Sequence, residues 1–318
     1  MRIEATTCSL TGCAAPQVLQ RLSVQYGGED VALAVNGRTE IAMWDNYDGK
    51  RGLSNPSLSW AVGTGARFTV VRRVGASGRD PALLAAASGH ILAAWASNAS
   101  GPLSIRQWSG GTRLHPSPSP GSSAGGETPQ LAIAGSDLIV AWATSVDLSD
   151  LSAGFLPAGS IYAAVRPLTA TRFRATQRLA TSSRDISLAG APDGSAVLAF
   201  GKVIANPDGT QSEVATVTSR GPSRRFGTPV ALESSPPVID VGPAAAINAD
   251  GTATVEWYTG SYGAQDVEAA TLARGGGPSA PVALGLGGSP LAASARGNST
   301  VLTWAGPTDY QALTETAP

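Results

Sequence analysis

Runs of small and branched apolar residues, each interrupted by a polar turn and closed by an aromatic, recur six times along the chain. The first three are "VALAVNGRTEIAMW" ending at Trp44, "PALLAAASGHILAAW" ending at Trp95 and "PQLAIAGSDLIVAW" ending at Trp142. The others are "ISLAGAPDGSAVLAF" ending at Phe200, "PAAAINADGTATVEW" ending at Trp257 and "PLAASARGNSTVLTW" ending at Trp304. Each copy reads as two strands joined by a tight turn. The turns carry Asn36-Gly37, Ser88-Gly89, Gly135-Ser136, Asp193-Gly194, Asp250-Gly251 and Gly297-Asn298, residue types that tolerate the positive φ of tight hairpins.

A weaker unit follows the first five copies, clearest in "IYAAVRPLTATRFRATQRLA", "EVATVTSRGPSRRFGTPVAL" and "VEAATLARGGGPSAPVAL". It predicts a third and a fourth strand, with Arg67-Phe68, Arg172-Phe173 and Arg225-Phe226 at matching points. Four short strands recurring over about fifty residues are the pattern of a propeller blade. The expected fold class is all-β: a six-bladed β-propeller of four-stranded antiparallel blades, one domain over residues 1–318. Residues 1–19 align with Val267–Leu284 and are expected to be an outer hairpin completing the last blade. Pairing of the N- and C-terminal segments would then close the ring and remove free sheet edges. Tyr310–Thr314 also reads as a strand and competes for that slot, which leaves residues 305–318 as a frayed tail or the start of a further segment. A seven-bladed or incomplete ring is the alternative. Small residues such as Ala85, Ala132 and Ala244 suit strands converging on a ring axis, and the recurring aromatic suits the widening gap between blades. Trp60 and Trp108 break the repeat and read either as outer-strand packing or as exposed recognition aromatics.

Composition narrows the partners. The 318 residues include 22 basic and 23 acidic side chains, a net charge of −1, so no single-sign field exists to hold nucleic acid or an acidic membrane surface. The chain is 42% hydrophobic, too apolar for a disordered one. Its 38 Gly and 22 Pro argue against helices. Length alone would suggest two domains, and the repeat reassigns it to one. No apolar run reaches the roughly 18 residues of a membrane helix. Cys8 and Cys13, five apart, read as a local disulfide, with two free thiols as the alternative. A zinc site would need more than the two distant histidines, His90 and His115. A disulfide implies an oxidising compartment. "MRIEATTC" lacks the apolar core of a signal peptide, so the expectation is an extracellular or cell-surface monomer whose leader lies outside this sequence.

The "DGxAxxxW" hairpin, best seen at Asp193–Phe200 and Asp250–Trp257, and the Arg-Phe strand start resemble the exported repeat propellers of actinobacteria and their relatives, over nearly the whole chain. Arg supplies every basic residue but Lys50 and Lys202, a bias in keeping with that resemblance. Such repeats are grouped loosely with sialidase-like propellers. The sialidase Asp box, S-x-D-x-G-x-x-W, has no match in spacing here, and the family's arginine cluster, tyrosine nucleophile and glutamate map onto no residues of this chain. The resemblance therefore implies a fold and not an activity.

Candidate chemistry gathers in loops at one face of such a scaffold. Asp30, Asp80 and Asp185 each stand just before an innermost strand, where Thr128, Gly242 and Ser289 stand in the other copies. Around a channel mouth, three carboxylates suit a hard cation such as calcium, or an acid and a base acting on a glycosidic bond. The alternative is that Asp merely ends a turn. Arg79 and Arg184 precede two of them as neutralising surface partners. Asp45, Tyr47, Asp48 and Arg51 in "WDNYDGKRGLSNPS", and Tyr258, Tyr262 and Asp266 in "YTGSYGAQD", are candidate ligand contacts, each weighed against an ordinary turn. Further loops are expected over 143–160 and 201–213. No phosphate loop and no nucleophile elbow with a usable histidine is present. The leading expectation is a non-catalytic scaffold that binds a carbohydrate or a protein surface. A glycoside hydrolase or lyase, and a structural fragment of a larger surface protein, are the alternatives.

Overall fold

The computed structural model describes residues 2–5, 8–9, 12–13, 15–21, 30–46, 57–64, 67–86, 89–97, 101–111, 113–120, 126–144, 158–222, 224–232, 242–261, 264–286, 288–305 and 310–316. Regular structure among them is all strand, and every ladder is antiparallel. No helix is long and apolar enough to cross a membrane. The chain divides into two compact units, Met1–Leu131 and Ala132–Pro318.

In the first unit Arg2–Ala5 pairs with Gln17–Arg21 as a two-stranded sheet. Between them Cys8 stands opposite Cys13 in a short ladder. The two cysteine side chains lie outside the described residues, and no disulfide between them is shown. Two four-stranded sheets follow. One holds Val31–Asn36, Thr39–Asn46, Ser57–Thr64 and Phe68–Ser77; the other holds Arg79–Ala85, Ile91–Ala96, Leu103–Trp108 and His115–Pro116.

Strand Gly126–Ala134 spans the division between units and opens a seven-stranded sheet that runs in sequence order to Val230–Ala231. Its fourth strand, Gln177–Gly190, serves two neighbours. Arg178 pairs with Tyr162 on one side, and Leu188 pairs with Leu198 on the other. The change of partner falls at Ser182 and Asp185, with φ of 52° and 45°. The sheet is thus two four-stranded sheets sharing one bent strand. A further four-stranded sheet runs from Ala244–Ile247 to Val282–Leu286. The last has three strands: Gly288–Arg296, Ser299–Ala305 and Tyr310–Thr316.

Two expectations change here. Residues 310–316 are no frayed tail: they take the third-strand place, with Leu313 opposite Leu302. The loops expected over 201–213 and 258–266 are mostly strand. Val203 pairs with Glu213, and Ser261 pairs with Ala264.

Burial follows the two-residue period of a strand. In Ala196–Ala205, Ala196, Leu198 and Phe200 pack with Ile139, Ala141 and Ile186. The alternate residues Val197 and Ala199 pack with Val255 and Trp257 of the next sheet. Thr39–Asn46 divides likewise, sending Ile41 and Met43 toward Trp95 and Trp108, and Ala42 and Trp44 toward Leu19 and Phe68. Trp44, Phe200 and Trp257 are fully buried fillers between sheets, and Trp142 is fully buried and stacked on Tyr162. Trp60 and Trp108 are buried as well, which assigns them to packing and not to recognition.

A side-chain clasp ties neighbouring sheets at their outer strands, and it occurs once in each unit. Gln17 Nε2 donates to the Phe68 carbonyl (2.7 Å), while Phe68 N donates to Gln17 Oε1 (3.0 Å). Gln177 and Phe226 repeat this at 2.9 and 3.2 Å. The amide mimics a strand edge and satisfies both backbone groups of Phe68, at the start of its strand, and of Phe226, outside any strand.

Close approach of sheets is sharpest at Gly190, where an added Cβ would collide with the Ile133 carbonyl. Gly190→Ala is expected to lower stability by about 1–3 kcal/mol in urea denaturation. Gly277→Ala, where nothing lies within 4 Å, should stay within about 0.5 kcal/mol of the parent. Equal effects of the two would refute tight sheet packing as the cause.

Candidate functional site

Four of the residues that open innermost strands have an unusual backbone. Asp80, Thr128 and Asp185 have φ of 51°, 43° and 45°, and Gly242 has 38°. This left-handed region suits Gly and Asp and is an outlier for a β-branched residue such as Thr128. Ladder register slips opposite two of these positions, between Ala94 and Ala96 and between Arg184 and Ile186. The bend turns the entering chain from one sheet into the next. Asp at these places thus has a local backbone reason.

In the first unit the same bends also gather carboxylates. Asp30 N donates to Asp45 Oδ1 (3.2 Å), and Asp45 N donates to the Asp30 carbonyl (3.3 Å). These bonds fix Asp45 one residue past the Val31–Trp44 pair, with 0% of its surface exposed. Asp80 Oδ2 accepts from Thr128 N (3.0 Å) and lies 3.7 Å from Arg79 Nε. Asp30, Asp45 and Asp80 each place a carboxylate oxygen so that all three lie within 4.8 Å of one another. Carboxylate oxygens gathered this closely suit a hard cation or the paired acids of glycoside cleavage. Asp30 is exposed, so the group opens to solvent on one side.

Asp185 lies in the second unit and faces Arg184, whose Nε is 2.8 Å from Asp185 Oδ2 and 3.2 Å from Glu213 Oε2. Glu213 is fully buried, so this is a partly buried network and not a simple surface pair. Glu256 is also fully buried, on the central strand Ala253–Ser261 between Ala244 and Ala269. Neither glutamate was singled out in the sequence. Glu213 falls in the stretch expected to be a loop and lies instead on the strand Gln211–Arg220. Glu256 stands where the other copies have Met43, Ala94, Ala141, Ala199 and Thr303, and an acid among such neighbours was the available signal.

The other candidates disperse. Tyr258 is buried in an apolar cluster with Val267, Ala269 and Leu302, so it serves packing and not a surface contact. Asp266 is exposed on the strand Ala264–Leu272. Tyr47, Asp48, Arg51 and Tyr262 lie outside the described residues.

No protein-family model matches the sequence, and no curated protein matches it. Solved structures are similar in fold. A PL25 ulvan lyase, a polysaccharide lyase bound to a GlcA(1-4)Rha3S unit, has a TM-score of 0.59 and 7% identity, over 92% of this chain and 79% of that one. A protein of unknown function from Dyadobacter fermentans has a TM-score of 0.56 and 10% identity, over 93% and 96%. The Penicillium chrysogenum α-L-arabinanase complexed with arabinobiose has a TM-score of 0.53 and 12% identity, over 90% and 92%. These likenesses give the fold as all-β and propeller-type. They also correct the leading functional expectation. A non-catalytic scaffold gives way to the enzyme alternative, because the similar structures of stated activity process carbohydrate.

Glu268 stands two residues beyond Asp266, on the same strand face. Burial, and after it the Asp266 charge, push its carboxyl up from the ordinary value. A raised folded pKa contributes stability below the unfolded pKa and loses it as pH rises through the folded one. Glu268→Gln is therefore expected to raise Tm at neutral pH, with the gain vanishing below about pH 4. A pH-independent shift in thermal melts would contradict this.

Proposed function

We propose that this chain is a carbohydrate-active enzyme of the propeller class that cleaves glycosidic bonds, by hydrolysis or by elimination. The observation that carries the reading is the group formed by Asp30, Asp45 and Asp80 within 4.8 Å, with one member fully buried and one exposed. Two carboxylates in unlike surroundings are what acid–base cleavage of a glycoside needs. Asp45, shielded from bulk water, is the proton donor to the leaving oxygen. Asp30, open to solvent, attacks the anomeric carbon in hydrolysis to form a glycosyl-enzyme that water then cleaves with Asp45 as base, or takes the proton from the carbon beside a uronate carboxyl in elimination. Asp80, held by Thr128 N and neighboured by Arg79, supplies negative charge toward the cation-like transition state. The close spacing is nearer the roughly 5 Å of retaining pairs than the wider gap of inverting ones.

Six inner strand pairs among the described residues support a single six-bladed ring over residues 1–318. A polymeric substrate too large to enter a cell supports an extracellular location. The likeness to a lyase bound to a uronate-containing unit and to an arabinanase supports a uronate- or arabinose-containing polysaccharide as the substrate class.

Purified protein is expected to release reducing ends from arabinan, or to give the ultraviolet-absorbing unsaturated product from a uronate-rich polysaccharide. Asp45→Asn keeps the oxygen that accepts from Asp30 N, so it should fold normally while losing about 10²- to 10⁴-fold in turnover. Neither product from the parent protein, or full turnover in Asp45→Asn, overturns the reading. Calcium raising the Tm of the parent protein but not of Asp80→Asn would reassign the three carboxylates to cation binding.

A further inference from the structure

The second unit contains a cavity of about 380 Å³ between the sheet that holds Ala196–Ala205 and Gln211–Arg220 and the sheet that holds Ala253–Ser261 and Ala264–Leu272. It opens at the strand ends that carry the hairpin turns. Glu213 stands at the far end of its ladder, seven positions from Arg220, or about 23 Å along the strand. Its volume is within the range of small-ligand pockets.

Three arginines line it, Arg220, Arg224 and Arg274, against apolar walls that include Pro222, Ile247 and Leu272. Arg220 has 0% of its side chain exposed. Its Nη2 donates to Asp137 Oδ2 at 2.9 Å, while Nη1 is buried without a hydrogen-bond partner. A buried guanidinium nitrogen left unsatisfied is costly, and such an atom calls for a ligand or ion as its explanation. Arg274 is 55% exposed at the mouth, 3.3 Å from Asp193 Oδ2. Asp193 is buried enough to oppose its charge, yet its bonds from Ser195 and the charge of Arg274 outweigh that and hold its carboxyl below the usual range. Arg274 is therefore partly neutralised. Arg224 is exposed and makes no ion pair among the described residues. The cavity thus presents more donors and more positive charge than its own carboxylates satisfy.

We infer that this cavity is an oxyanion-binding site, taking a sulfate or carboxylate group. The forked guanidinium suits such planar or tetrahedral oxygens, and the apolar walls strengthen the attraction by excluding water. The group arrives either as a free inorganic anion or as the substituent of an acidic sugar. The inference does not depend on the proposed cleavage chemistry, because it concerns other residues and is read by binding.

The test uses the full chain and two probes, sodium sulfate and a short glucuronate oligosaccharide, with sodium chloride at matched ionic strength and a neutral oligosaccharide as controls. Sulfate is expected to raise Tm along a saturating curve that chloride does not reproduce, above the general salting effect of sulfate. The exposed pair Arg224→Gln and Arg274→Gln, combined, should fold as the parent and weaken the apparent Kd about tenfold or more. Tighter binding of the glucuronate oligosaccharide than of both sulfate and the neutral sugar identifies an acidic glycan as the source. Equal or weaker binding than sulfate identifies a free anion. An unsaturable sulfate response, or one unchanged in the double variant, overturns the site. Arg220→Gln strips Asp137 of its partner and is uninformative about binding if it unfolds, so the double variant carries the test.

Discussion

Central strands in this protein are covered on both faces, and that condition governs most of what the side chains do. Adjacent residues along Ala196–Ala205 answer to different cores, with Phe200 and Ala199 looking opposite ways. A strand so placed cannot show the apolar–polar alternation of a half-exposed sheet, so it appears in sequence as a continuous run of Ala, Val, Leu and Ile. Polar groups are pushed to the strand ends. Asp45 follows Trp44 immediately, one residue from the end of Thr39–Asn46. Glu256 is an exception, a buried carboxylate midway along a strand of the second unit.

The bend at the entry of each innermost strand follows from the same packing. A chain leaving the outer edge of one sheet must turn sharply to begin the next, and the left-handed backbone at Asp80, Thr128, Asp185 and Gly242 makes that turn. Aspartate suits this conformation for reasons of its own backbone. Because sheets succeed one another with the same geometry, successive aspartates fall on the same end of their sheets. In the first unit this structural habit delivers Asp80 to one place with Asp30, the residue before another innermost strand, and Asp45 joins them from the end of a second strand. A requirement of the fold has supplied the raw material of a reactive group.

Much of this was readable from the residues. The six aromatic-terminated hairpins, the Arg-Phe points and the special position of Asp30, Asp80 and Asp185 all come from spacing, because a strand's register preserves spacing in the sequence. What spacing does not carry is which strand ends meet across sheets. Asp45 had been grouped with Tyr47, Asp48 and Arg51 as a loop contact, since neighbours in sequence looked like neighbours in space. Its true companions are Asp30, fifteen residues back, and Asp80, in the following sheet. Tyr258 misled for the converse reason: a tyrosine at an expected loop looked available, but the strand extends past it and buries it. The glutamine clasp was equally hidden, because the phenylalanine repeats visibly whereas Gln17 and Gln177 stand far from it in sequence.

That clasp bears on how such chains change over evolutionary time. Each fastening needs one amide side chain on a preceding outer strand and only the main chain of the residue that receives it. The receiving partner's identity matters for packing and not for the bond. A tandem duplication of one four-stranded module would therefore carry both the amide and a ready acceptor at its outer strand. New copies could be spliced in, and old ones lost, without any two neighbouring modules having to coevolve a matched set of side chains.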